Sequence, residues 1–314
     1  MLCQLRTDSL MPQARDLLLL AVILISILLG LLFPEFFRPL RPLPIYCLFA
    51  LFFLSYLPIE MEMVLKGIKE STLNIVQVCI LKVVVFPIII WLAFDLFFPK
   101  YSTAALLLTA ISTGVTAPFI AGLVGANTAL VLTVVVITSL LVPFTLPLLI
   151  KLLLARSTVL PIADMIQTLA LVVFIPVLIV EGIRKTMPRL LSEIMKIKYP
   201  ASLALFGVTN IAIFSQYAVF FHREPAAIGT ATILAFSLSM IYLVFGIMTF
   251  RKHSLEDELA GAVIFANINN VMVLVFASRF FGAMEAIVAA IYNIPYFGII
   301  LLMRIYTKHY KRNT

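Results

Sequence analysis

The chain has 314 residues, 63% of them hydrophobic and only 12% charged, against about 25% charged in a soluble domain. With a mean hydropathy of +1.13, this composition excludes a soluble globular fold and predicts an all-α membrane protein. The net charge of +8 comes from basic residues in short loops between apolar runs and forms no basic face, which excludes a nucleic-acid-binding surface.

In chain order, apolar runs of about 20 residues predict ten spans, near residues 16–36, 43–59, 72–98, 102–124, 128–150, 159–181, 201–221, 226–250, 259–281 and 283–303. The first follows Arg6 and Arg15 like a signal peptide, but it is long and ends in Phe33-Pro34-Glu35 instead of small cleavable residues, so it reads as a span. Alternating the loops puts fifteen Lys and Arg on the side of the N-terminus and seven on the other. Both termini, the loop at 184–198 and the basic tail 304–314 are therefore expected in the cytoplasm of a multi-pass cell-membrane protein. Cys3, Cys47 and Cys79 show no metal-ligand spacing and read as small core residues.

The remaining basic residue, Lys82, falls inside the third span in QVCILKVVVFP. A charge at that depth costs at least ~2.5 kcal/mol on insertion scales and is normally paired or faces a wet cavity. The fourth and fifth spans form ISTGVTAPFIAGLVGANTALVLTVVVITSLLVPFTLPLL over 111–149, interrupted at Gly114, Thr116 and Pro118. Proline lacks a backbone donor, so a break there needs a cavity or a neighbour. The ninth span carries FANINN over 265–270, where Asn267, Asn269 and Asn270 are poor helix formers in a dry bundle. Asparagines bonding across helices as glue are the plainer reading of that cluster, but its place in a span equivalent to the interrupted fourth favours a cavity. Ten spans divide into five and five, 16–150 and 159–303, and an odd number per half inserts the second half upside down as an inverted repeat. The two interrupted spans are fourth in each half, and a break near 116–118 and another near 267–270 are expected to cross at mid-membrane. The tenth span holds Asn293 and Pro295.

These residues carry a family resemblance. The segment from TGVTAPF to LVPFTLPLL, with FLSYLPIEME in the second span, KVVVFP in the third, FIPVLIVEGI in the sixth and YNIP in the tenth, resembles the bile acid:sodium symporter superfamily over nearly the whole chain. The resemblance implies one transporter domain with a core of spans 3, 4, 5, 8, 9 and 10, a panel of spans 1, 2, 6 and 7, and a small organic anion bound between them. It implies translocation residues at Lys82, Thr116, Pro118, Asn267, Asn269, Asn270 and Asn293. The sodium ligands of coupled members do not carry over as a set: their positions fall at Pro118, Phe119, Val131, Val135 and Phe265, with the glutamine-asparagine pair of the ninth span at Asn269 and Asn270, and hydrocarbon supplies no oxygen ligands. Where such members have a glutamine, five residues before Pro87, this chain has Lys82. The resemblance therefore implies sodium-independent transport with the lysine in the place of the ion. Burial and the half-helix ends act on its charge in opposite directions, which leaves the proton open as a coupling ion.

No Ser/His/Asp order, cofactor motif or metal site stands out, and His222, His253 and His309 fall at loops or the tail, so the chain reads as a non-enzyme. A lipid-directed enzyme would need a cluster of acids or histidines at one membrane depth. An auxin-efflux-like carrier of the same architecture and a non-transporting receptor or structural descendant are the other readings.

Overall fold

The computed structural model describes residues 14–62, 64, 75–154 and 160–313. Cys3, Arg6, Lys66, Lys69 and Arg156, with the expected starts of the third and sixth spans, lie outside the described residues. Within them the chain is helical, and its single bridge of extended backbone pairs Thr113 with Ile268.

The helices are α1 (Ala14–Leu32), α2 (Pro44–Tyr56), α3 (Ile75–Phe97), α4 (Ser102–Ala110), α5 (Ala117–Val124), α6 (Thr128–Leu154), α7 (Ile162–Thr186), α8 (Pro188–Arg223), α9 (Pro225–Thr249), α10 (Leu255–Ala266), α11 (Asn270–Phe280), α12 (Ala283–Ile291) and α13 (Asn293–Asn313). Among the described residues α3, α6, α7, α8, α9 and the stretch Ala283–Lys308 are each long and apolar enough to cross a membrane, and Ala21–Leu32, α2 and α11 are shorter apolar helices. Large apolar side chains such as Leu28, Leu96, Leu152, Leu178 and Ile233 stand exposed on their outer faces, as expected of a bundle whose solvent is lipid.

Local sequence explains most boundaries. Proline stands in the first turn of α2, α5, α8 and α9, where its missing donor would be unpaired anyway. Gly125 ends α5 with φ +74°, a left-handed turn open to glycine, and Asn127 then caps α6 by accepting from Leu130 N at 3.1 Å. Pro87 deprives the preceding turn of α3 of a donor, and the chain absorbs this as a π-helical turn over Leu81–Val85, closed by Phe86 N on Leu81 O. Pro143 and Pro147 sit inside α6 without interrupting it.

One expectation is corrected. The stretch 184–198 is helical apart from the joint at Met187, and α8 begins at Pro188 instead of near 201. Its Leu, Glu, Met and Lys residues favour helix, whereas hydropathy registers only their charge. The tail 304–313 likewise continues α13 as helix.

The helices pack in two groups, joined where α6 lies on α7. α1 and α2 lie on α8, and α2 also on α7. Arg184 of α7 ties this group at one end by donating to Leu57 O at 3.1 Å and Ile59 O at 2.7 Å. In the second group α3 packs on α4, α5 and α6 on α10, α9 on α10 and α12, and α11 on α12.

Candidate functional site

The two interrupted stretches meet in the middle of the second group. α4 stops at Ala110 and α5 starts at Ala117, leaving 111–116 outside any helix, while α10 and α11 are separated by Asn267, Ile268 and Asn269. Gly114 N donates to Asn267 O at 2.6 Å and Asn269 N to Ser112 O at 2.9 Å. Each break thus supplies the partners that the other has lost, which unpaired backbone in a membrane interior requires. Gly114 fits because a Cβ there would stand 2.7 Å from Ile268 O.

The carbonyl end of α10 collects the remaining donors. Val263 O accepts from Asn267 N at 3.0 Å, Ile264 O from the Thr113 hydroxyl at 2.9 Å, and Ala266 O from the Tyr292 hydroxyl at 2.8 Å. Phe265 O accepts from Lys82 Nζ at 3.4 Å. Lys82 is completely buried on the π-helical turn of α3. Its Nζ lies 5.6 Å from the Phe265 ring and 5.8 Å from the Tyr242 ring, and Phe86 packs against both of those rings. Among the described residues no carboxylate forms an ion pair with it. A basic side chain, aromatic faces and the negative end of a helix dipole therefore share one dry compartment.

The other residues expected at the site divide. Asn267, fully buried, and Asn270, nearly so, hold both side-chain polar atoms without a hydrogen-bond partner. Asn269 caps α11 by accepting from Met272 N at 3.4 Å, with its Nδ2 unpartnered, as is the buried Ser112 hydroxyl. Asn267 also faces the Tyr296 hydroxyl, although its amide makes no hydrogen bond of good geometry. Thr116 is exposed and shares a 2.6 Å hydrogen bond with Tyr296. Pro118 opens α5 and the break precedes it; Asn270 likewise opens α11. Asn293 donates to Ala290 O at 3.0 Å, a bond within its own stretch of chain. Of the positions aligned with sodium ligands, Val131, Val135 and Phe265 are buried in the apolar core and Phe119 is exposed.

Sequence reasoning missed Thr113, Thr138, Tyr292 and Tyr296. Thr138 of α6 accepts from Thr113 N at 3.3 Å. The tyrosines left a signal: two phenols four residues apart in an apolar span lie on one helix face and need partners. Threonines gave none, because most in this chain bond their own helix, as Thr109 does to Ala105 O.

Interrupted helices whose ends meet around buried polar groups in a dry bundle are the mark of membrane transporters. The SBF-like CPA transporter family model matches residues 17–298, and the chain belongs to that family of bile acid:sodium symporter-like proteins. A search of the curated proteins found no match.

Proposed function

We propose that this protein carries a small organic anion across the cell membrane by alternating access, without sodium. Lys82 supplies the fixed cation at the meeting point. The observation that carries this reading is the Lys82 amino group on Phe265 O, at the negative end of α10, where a cation offsets the helix dipole. The unpartnered amides of Asn267 and Asn270 offer hydrogen bonds to an anion, with Asn269, Thr116 and Pro118 shaping the breaks and Asn293 the bend of the last span.

In this reading the short helices pair into interrupted spans, 102–124 and 255–280, and α12 with α13 makes one more. Ten spans result, as two inverted halves at 16–150 and 159–303. α1, α2, α7 and α8 form a panel against which the rest rocks, with both termini cytoplasmic. Cysteines introduced as Leu190→Cys and Arg223→Cys report the orientation: an impermeant thiol reagent should label the second, not the first, in intact cells.

The central test is a thermal-shift screen of small carboxylic acids with purified protein in sodium and in choline buffers, followed by uptake of the stabilising acid into vesicles. Equal uptake in the two buffers, lost in Lys82→Gln, is expected. Uptake that requires sodium overturns the reading.

A further inference from the structure

A cavity of about 150 Å³ opens between the two helix groups, at the end of the bundle opposite the termini, lined among others by Arg41, Gln216, Ser278 and Arg279. Arg41 comes from the turn before α2, Gln216 from α8, and Ser278 and Arg279 from the last turn of α11, so the walls belong to both groups. The volume corresponds to about five waters, the size of a small carboxylate.

The charged residues of its lining are both basic, Arg41 and Arg279. Among the described residues neither arginine has an acidic partner within ion-pair distance. The acids nearby in the chain have partners of their own: Glu35 pairs with Arg38 at 3.7 Å, and Glu285, on the Tyr217 side, accepts from Gly282 N at 3.1 Å. Arg41 Nη2 donates to Ser215 O at 2.9 Å, which holds the guanidinium in place, while its Nε is buried without a partner. Arg279 lies over the Phe280 ring at 5.5 Å, and Tyr217 donates to Ser278 O at 3.3 Å, a link between α8 and α11 beside the cavity. Two cations share one cavity, with one buried donor unspent. An oxyanion between them relieves their repulsion and accepts from their planar forks.

The geometry points to this cavity as an anion-binding vestibule, a first docking site for a small carboxylate at the seam between the moving groups. It deepens the carrier reading and rests on it for the fate of the anion, not for its capture. The same oxyanion chemistry could be met by a lipid phosphate, but the lining comes from helices on both sides of the seam instead of from one lipid-facing helix.

The test uses Gln216→Cys in a chain whose native cysteines are replaced by alanine, held in phosphatidylcholine nanodiscs so that both faces are accessible. Gln216 is exposed and outside the Lys82 compartment. Normalised to a free thiol, 2-sulfonatoethyl methanethiosulfonate should react about tenfold faster than the 2-trimethylammonioethyl reagent. Adding Arg279→Gln should bring the two rates together, and Arg279→Lys should retain part of the preference. Millimolar succinate should slow the sulfonate reaction at Gln216→Cys and leave a control at Glu224→Cys unchanged, with inorganic sulfate protecting less well. Equal rates for the two reagents, or protection that appears only when phosphatidylglycerol is added to the nanodisc, overturn the vestibule. Protection by succinate in a protein that transports nothing would overturn the carrier reading alone; transport without protection would overturn the vestibule alone.

Discussion

The two breaks solve the same problem with different means. The first, over 111–116, is longer, and it relies on glycine, a proline that opens the next helix, and backbone donors and acceptors. The second, Asn267 to Asn269, is shorter, and side chains from outside it attend its carbonyl end: Lys82 from α3, Tyr292 from the last span, and Thr113 from the first break, whose own backbone N–H is held by Thr138 of α6. Only the second break has a basic group at hand among the described residues. The difference teaches that the two breaks, alike in interrupting an apolar stretch, are unlike in their side-chain partners, and that the Lys82 amino group meets the carbonyl end of one helix only.

The largest effect expected to sharpen this contrast comes from Lys82→Met. The Lys82 hydrogen bond is long at 3.4 Å and so weak, while burying an amine without a carboxylate is costly. Methionine in that aromatic compartment should therefore melt no lower than the parent, yet carry the anion at least about tenfold more slowly, ~1.4 kcal/mol. Thermal unfolding together with vesicle uptake reads both; full uptake would make the lysine a passenger.

Gly114→Ala comes next. Its Cβ would stand 2.7 Å from Ile268 O and 3.0 Å from Asn267 O, so one break must back away from the other at a cost of about 1–3 kcal/mol. A melting temperature equal to that of the parent would show that the breaks do not depend on their close approach. Tyr292→Phe removes the donor to Ala266 O and should cost about 1–2 kcal/mol. Thr116→Val, which removes an exposed hydroxyl bonded to Tyr296, should cost less, and the reverse order in chemical denaturation would contradict the emphasis on the carbonyl end of α10. The smallest contrast pairs Asn269→Ala with Pro118→Ala: loss of the cap on α11 should cost about 1 kcal/mol, and loss of the rigid first turn of α5 about 0.5 kcal/mol. Equal losses would mean that the breaks are held by their surroundings and not by their own residues.

Much of the architecture was legible residue by residue. The helix ends at Gly125 and Asn127, the starts at Pro44, Pro118 and Pro225, and the interruption around Gly114 all follow from backbone chemistry within a turn of the residue concerned. The start of α8 was not legible, because the scale that marks a membrane span counts the charges of Arg189, Glu193 and Lys196 against it, although helix propensity is indifferent to them. Asn293, a polar residue near proline in an apolar span, donates its amide to a carbonyl three residues away, a partner that hydropathy does not foretell.

By itself, the sequence determined that the chain is a membrane helix bundle, where two of its helices are interrupted, and that Lys82 lies at a depth where a charge needs a reason. These depend on hydropathy run length and on the local demands of Pro, Gly and Asn. The tertiary structure decided which polar groups meet. Lys82 finds a carbonyl 183 positions away, Thr113 one 151 positions away, and Arg41 faces the same cavity as Arg279. Hydrogen bonds and charge act through space at about 3 Å and over roughly a Debye length, and no period or spacing along the chain records which carbonyl a distant donor will reach.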